Sequence, residues 1–352
     1  MKKQLIILLI AIAPFAGKAQ IDFGSFLEAG AADAEKLLEG YLRPAFLGFG
    51  YGINSGWYNT AKPHKLLGFD ITPTVSFARV PSKDEFFTID DSDFTNLTVI
   101  NTIDANGGIG SRITDSPTLF GPNLPNEQLP FLQYTSDNGT PGDTSDDTQV
   151  NISAPTGLGL DEAIGFSAVP SGMVQVGIGL IKGTELKLRI IPKIESTNDR
   201  GQSDFEFEMF GLGFMHDLKQ WVPGFKQLPI DVSGFVGWNK IKTTIAIDPD
   251  LDQRATFSTS SFTLQGLVSK KLAILTLFGG VGIATTRTQF ELLGQYETEG
   301  GTFTDPISFD FTSTGPRINL GFRLKLLILT LHADYAIQKY STLTTGIGIS
   351  IR

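Results

Sequence analysis

The chain is 352 residues long, carries 37 acidic against 28 basic side chains for a net charge of −9, and has no cysteine. An acid excess repels phosphate backbones, so nucleic acid is not expected as a partner. Without thiols there is no disulfide, no thiolate metal centre and no lipid-modified N-terminal cysteine, so packing and hydrogen bonds must hold the fold.

At the N-terminus Lys2 and Lys3 precede an apolar run from Leu5 to Phe15 and the small-residue pattern Gly17-Lys18-Ala19. This order predicts a secretory signal peptide over residues 1–19, cut before Gln20. The run is too short for a membrane helix, which needs about 20 residues, and no later run is as long. Removing Lys2, Lys3 and Lys18 leaves 25 basic against 37 acidic side chains, near −12. Next, Phe26 to Leu42 has helical spacing: Leu27, Ala31, Ala34, Leu38 and Leu42 share a face, and Glu28, Glu35, Lys36 and Glu39 fall away from it. Residues 20–60 are expected to form a segment that either plugs a lumen or lies at its rim. Ala45–Asn54 could belong to that segment or to a sheet.

From residue 61 onward the period changes to two. Between Leu66 and Val80 the odd positions Leu67, Phe69, Ile71, Val75 and Phe77 oppose Asp70, Thr72, Thr74 and Ser76. Met173–Ile181 alternates likewise, and Leu186, Leu188 and Ile190 then oppose Glu185, Lys187 and Arg189. A row of charges beside an apolar row requires water on one side, so Arg189→Leu on that face is expected to cost much less in folding than Leu188→Arg on the lipid face, which should cost about 2–4 kcal/mol. In Asp204–Phe214 the apolar face passes from Phe205, Phe207 and Met209 to Phe210, Leu212 and Phe214, which suggests a bulge. Pro229–Ile247, Ala255–Ser269 and Leu272–Phe290 are further strand candidates. Near the C-terminus Ile318, Leu320, Phe322 and Leu324 oppose Arg317, Asn319 and Arg323, and Leu329, Leu331 and Tyr335 oppose His332 and Asp334. The last strand sets Leu343, Ile347, Ile349 and Ile351 against glycines and Ser350. Spans of about ten residues suit tilted strands that cross a hydrocarbon layer.

A soluble β-sandwich also alternates. Strand length, charges confined to one face, and short turns at one end against long polar loops at the other favour a transmembrane antiparallel β-barrel. Counting weaker segments near Phe94–Ile103 and Asp161–Val169 predicts roughly 12 to 14 strands over residues 61–352. Short connections are read at Ile181–Thr184, Ser269–Leu272 and near Lys325; long ones at Asn101–Thr148, Asp248–Arg254 and Gly294–Pro306. Trp221–Pro229 is a longer connection on the short-turn side. Asp248, Asp250 and Asp252, and the group around Asp137, Asn138, Asp143, Asp146 and Asp147, have oxygen ligands for calcium but not the EF-hand pattern, and read as solvated loops.

Catalytic signals are sparse: the histidines are His64, His216 and His332, no nucleophile motif, phosphate loop or histidine metal motif occurs, and neither enzyme activity nor a cofactor is expected. The polar lumen candidates are Glu185, Lys187, Arg189, Arg317 and Arg323, with His332 and Asp334 in one network with the two later arginines.

Gly56–Lys65 followed by Leu66–Asp70, the Gly183-Thr184-Glu185 turn, and Asp217–Trp221 with Leu228-Pro229 resemble a family of uncharacterised Gram-negative envelope proteins similar to the FadL-type outer-membrane transporters of hydrophobic compounds. The resemblance implies a barrel blocked by an N-terminal plug, corresponding here to residues 20–60 by position. It also implies passage of small hydrophobic ligands, outer-membrane lipid around the wall, and the barrel-assembly machinery as a partner in biogenesis. The alternative is a structural or surface-binding barrel without transport. The chain departs from the usual terminal aromatic, ending Ile351-Arg352.

Overall fold

The computed structural model describes residues 23–100, 112–138, 140, 144–161, 165–198, 200–223, 225–298 and 301–351. The expected signal peptide and its cleavage site, with Asp143 and Arg352, lie outside those residues. Two helices lead, α1 (Phe23–Glu28) and α2 (Ala31–Ile53), followed by β1 (Phe69–Arg79). Short strands β2 (Phe86–Asp90), β3 (Thr98–Ile100), β4 (Ile113–Pro117), β5 (Phe131–Ser136) and β6 (Thr148–Ser153) come next. Longer strands follow: β7 (Ala168–Gly179), β8 (Thr184–Thr197), β9 (Ser203–Asp217), β10 (Asp231–Asp248), β11 (Gln253–Leu272) and β12 (Leu275–Leu293). A small hairpin, β13 (Gln295–Thr298) and β14 (Gly301–Thr304), precedes β15 (Ile307–Leu326), β16 (Leu329–Ile337) and β17 (Thr342–Ile351).

Among the described residues ten strands close one antiparallel barrel, in the order β1, β17, β16, β15, β12, β11, β10, β9, β8, β7. This corrects the expected 12 to 14. Phe94–Ile103 supplies β3 of a separate small sheet, and Asp161–Val169 adds to the wall only the first residues of β7. The ring is sealed by β1 between β17 and β7, with Phe69 opposite both Ile351 and Ile178. A sheet closed on itself leaves no open edge, the condition for backbone to stand in hydrocarbon. With its apolar outer rows it is a transmembrane antiparallel β-barrel.

The alternation read from the sequence sorts inside from outside. On β1, Asp70, Thr72, Thr74 and Ser76 are buried, whereas Ile71 and Phe77 are exposed. On β15 the outward row runs from Leu326 through Leu324, Phe322, Leu320 and Ile318 to Pro316, then becomes Thr314, Thr312, Asp310 and Ser308. The inward row does the reverse: Arg323, Asn319 and Arg317 give way to Phe311, Phe309 and Ile307. The tall strands are therefore apolar outside and polar inside over their lower half, and polar outside and apolar inside over their upper half.

That inversion explains β9. Phe205, Phe207 and Met209 point inward near the top, Phe210, Leu212 and Phe214 point outward lower down, and the register with β10 is unbroken from Ser233 opposite Asp217 to Ile245 opposite Phe205. No bulge is needed at the change of face. The irregularities in this part of the sheet lie between β8 and β9, whose register shifts at two places: between Ile191 and Ile194 of β8, where Pro192 cannot donate to the ladder, and between Ser196 and Thr197, near the start of β9.

The upper apolar interior surrounds α2. Phe46 packs on Phe257, Phe290 and Phe311 at centroid distances of 5.3, 5.7 and 6.0 Å. Phe49 meets Phe257 edge-on. Ala45–Asn54, which the sequence left between helix and strand, is helix up to Ile53, with Pro44 inside it. The helix fits because it presents small residues to the wall: a Cβ on Gly50 would collide with Thr286, and one on Gly52 with Ser171. The described residues between 80 and 167, at the end opposite the β7–β8 turn, form a folded cap, and those of them within Asn101–Thr148 supply its strands β4 and β5 where a long polar loop is expected. Leu97, Val99, Phe120, Leu132 and Tyr134 of this cap are buried in one cluster with the α2 side chains.

The connections also shift slightly. Ser269–Leu272 belongs to β11, and the reversal is the two-residue turn Ala273-Ile274, matched by Leu327-Ile328 between β15 and β16. Gly294–Pro306 contains the β13–β14 hairpin. Trp221 lies at the short-turn end, where it stacks on His216 and donates to its Nε2 at 2.7 Å.

Candidate functional site

The seven polar candidates named from the sequence all face inward, and all are buried. They were expected to be wet. Instead residues 54–65, continuing from α2, fill the lower lumen and exclude solvent from them. Arg189 is fully buried: Nη1 donates to the Ile53 carbonyl at 2.6 Å and Nη2 to the Ser55 carbonyl at 2.7 Å. Its guanidinium lies 3.6 Å from the Trp57 ring centroid. Asn239 adds a second donor to Ile53 at 3.2 Å. A cation at the C-terminus of α2 meets carbonyls that the helix leaves without partners and complements its dipole. Trp57 has room because the wall is bare at Gly213 and Gly237, where a Cβ would fall 3.0 and 2.9 Å from the indole.

Glu185 and Lys187 join a second group that the sequence did not assemble. The Lys187 ammonium is 2.5 Å from Glu185 and 4.0 Å from Asp70, and His64 Nε2 is 3.0 Å from Asp70. Glu185 also accepts from the His64 backbone N–H at 2.8 Å, and Asp70 from Thr72 at 2.7 Å. Ligand atoms of His64, Asp70 and Glu185 lie within 4.8 Å of one another, a spacing that could hold a metal ion. Lys187 already supplies the positive charge there, so the group works as an ion-paired clasp between residue 64 and the wall. Its sequence signal was the charge row Glu185-x-Lys187 and the lone Asp70 on an otherwise hydroxyl-lined face; nothing in the spacing announced that His64 would reach them.

The expected network of Arg317, Arg323, His332 and Asp334 is only partly formed. Arg317 donates to Ser55 Oγ at 3.1 Å and Gln338 at 2.7 Å, and Arg323 to Ser350 Oγ at 3.0 Å. His332 and Asp334 sit across the ladder from Arg323 and Gly321, yet neither side chain makes a hydrogen bond of normal geometry. Tyr58, which sequence reasoning passed over, donates to Asn319 at 2.7 Å and also meets Gln265, tying the filled lumen to β11 and β15.

A cleft of about 560 Å³ opens at the cap end. Its floor is α2, at Gly40, Pro44 and Leu47, and its sides are Phe86, Phe87 and Phe94 of the cap. Lys36, Arg43, Lys83 and Lys339 edge it, alongside Glu39, Asp84 and Asp93. Tyr340 at its base stacks on Tyr51 with centroids 6.0 Å apart and donates to Asp84 at 2.7 Å; burial first, and then Asp84, push its hydroxyl pKa upward. Sequence reasoning misses this site: it reads Phe94 as the start of a weak strand of the wall and assigns Phe86 and Phe87 to no element.

Of the two acidic groups weighed for calcium, the aspartates of the Asp248–Asp252 loop are spoken for. Asp248 caps the Asp250 N–H, Asp250 accepts from Arg200 and Gln202, and Asp252 pairs with Arg254. Those two side-chain hydrogen bonds hold the Asp250 carboxyl below its usual pKa range, Gln202 contributing most.

A family model, described as a family of unknown function and designated DUF6588, matches residues 1–351. The chain belongs to DUF6588. A search of curated proteins returns no match for this DUF6588 chain. Among solved structures, the translocator domain of the autotransporter NalP from Neisseria meningitidis aligns at 10% identity over 95% of this chain and 100% of its own, with a TM-score of 0.29. The outer membrane protease OmpT from Escherichia coli aligns at 6% identity over 80% and 97%, TM-score 0.31. The toluene transporter TodX from Pseudomonas putida aligns at 8% identity over 81% and 67%, TM-score 0.23. Similarities this low decide nothing about what the DUF6588 chain does.

Proposed function

We propose that the chain is an outer-membrane barrel, closed by its own N-terminal segment, that takes small hydrophobic molecules from outside through the cleft at its cap. The observation that carries this reading is the cleft itself. Its volume is in the range of small-molecule sites, its phenylalanine walls suit an apolar body, and its floor is the helix that closes the barrel. A ligand seated there touches the element that must move for anything to pass. The reading includes no catalytic step and no cofactor. Its partners are outer-membrane lipid and, during biogenesis, the barrel-assembly machinery.

Export through a cleavable signal peptide is part of the same proposal. The packed lumen favours a second reading, a structural or surface-binding barrel without transport: the aromatic cluster around Phe46 and the clasp at His64 leave α2 and its extension held at both ends.

Purified protein titrated with an environment-sensitive apolar fluorophore tests the binding step. Replacing Phe87 and Phe94 by Ser should weaken binding about tenfold or more, as expected when buried aromatic contacts are lost. Uptake of labelled fatty acid and of aromatic hydrocarbon by cells with and without the gene tests transport. Binding at the cleft with equal uptake in both strains would leave the surface-binding reading; no binding at all would remove the transport reading.

A further inference from the structure

Antiparallel topology brings the β7–β8, β9–β10, β11–β12 and β15–β16 connections to one end of the barrel, together with the start of β1. That end is basic although the chain as a whole is acidic. Lys62, Lys65, Lys182 and Lys226 line a cleft of about 660 Å³ there, and Lys219 borders it. The acids of this cleft are Asp217, which caps the Lys219 N–H at 2.9 Å, and Asp231, 3.9 Å from Lys62. Lys65, Lys182 and Lys226 have no carboxylate partner among the described residues. Three uncompensated ammonium groups around one concavity constitute an anion site.

The same cleft has an apolar side. Leu66 is 60% and Ile181 66% exposed, which is costly in water and natural in lipid. Leu180 extends the outward row of Val174, Val176 and Ile178 along β7 to the cleft edge. A ligand with its anionic head among the lysines could lay an acyl chain directly along that row. A free anion would leave the leucine and isoleucine side chains uncovered.

We propose that this cleft binds the phosphate headgroup of an anionic phospholipid from the leaflet at the short-turn end, with the acyl chains on the β7 face. The inference rests on the reading of the chain as a membrane barrel. It assigns lipid phosphate at the opposite end of the molecule from the uptake cleft.

The test uses the full mature chain in phosphatidylcholine nanodiscs doped with phosphatidylglycerol, extracted into mild detergent and examined by native mass spectrometry for retained lipid. Wild type should keep phosphatidylglycerol in preference to phosphatidylcholine. Replacing Lys65, Lys182 and Lys226 by Gln should lower that retention about tenfold or more, since each lysine near an anionic surface contributes severalfold. Lys240→Gln with Lys242→Gln, on the outer face near the cap, should leave it unchanged. Heat-modifiable migration confirms that each variant is folded. Equal retention by the triple variant, or an equal loss in the Lys240/Lys242 control, overturns the proposal. Displacement of the lipid by millimolar inorganic phosphate also overturns it, in favour of a free-phosphate site. Failure of wild type to insert into any nanodisc would instead overturn the membrane reading beneath it.

Discussion

Arg189 projects from the wall into a space that the N-terminal segment has already filled, so its cost of replacement differs from that of a charge in an open pore. Arg189→Leu would leave the Ile53 and Ser55 carbonyls without their strongest donors and remove the stack on Trp57. Ile53 keeps the Asn239 donor, but the Ser55 carbonyl is left unmet, which costs about 1–3 kcal/mol, and with the lost stack on Trp57 the attachment of the lumen segment should weaken by about 3 kcal/mol. Limited proteolysis in detergent should then cut near residues 54–65, with heat-modifiable migration preserved; proteolytic resistance equal to wild type would show that the arginine is dispensable. The expectation of an inexpensive substitution at this position assumed water that the fold excludes. His332 and Asp334 give the same lesson. Alternation placed them inside correctly, but facing side chains need not bond, and these two do not.

At the scale of the element, α2 is held by shape and by apolar contact more than by propensity. It contains Pro44 and several glycines, poor choices for an isolated helix, and it forms because the aromatic ring of the upper wall encloses it. Phe46→Ala, which empties the space between Phe257, Phe290 and Phe311, should cost about 3–5 kcal/mol and lower the thermal midpoint. Circular dichroism melting would check this, and an unchanged midpoint would mean that the helix is peripheral to stability. Deleting residues 23–65, the helices together with the segment that fills the lower lumen, should raise single-channel conductance in planar bilayers, because the lower ladder survives through strand pairing. The same deletion should also destabilise the upper wall, whose inward phenylalanines lose their partner. Conductance equal to wild type in a folded deletion protein would reject the closing role.

For the whole molecule, the decisive feature is the height at which inside and outside exchange character. Leu320 and Thr312 lie on the same outward row of β15, one 71% exposed in the apolar band and the other above it. Leu320→Arg should destabilise the barrel by about 2–4 kcal/mol in lipid vesicles, whereas Thr312→Arg should be near neutral. Equal sensitivity at the two positions would dissolve the band. At the boundary Trp238 packs on Phe210 at 6.2 Å, just below the outward Lys240 and Lys242, the arrangement of an interfacial aromatic girdle. The charge distribution follows the same axis, with Lys62, Lys65, Lys182, Lys219 and Lys226 around the cleft at the short-turn end and Asp248, Asp250 and Asp252 in a connection at the other.

In the sequence alone, period-two alternation shows which face of β1, β8, β15, β16 and β17 points inward, strand length and charges confined to one face show that the sheet is a barrel, and helical spacing shows that a helix precedes it. These follow from local geometry, since side chains alternate strictly along a strand whatever else the chain does. The tertiary structure decided the strand number, the helical state of Ala45–Ile53, the cap built by the described residues between 80 and 167, and the meeting of His64 with Asp70, Glu185 and Lys187. Each depends on which distant surfaces come together: an aromatic segment is read as strand, loop or core according to what lies opposite it. The upper halves of the strands misled for the same reason. Their inward face is apolar only because α2 is there to cover it, and that partner lies some two hundred residues earlier in the chain, as with Phe46 and Phe257.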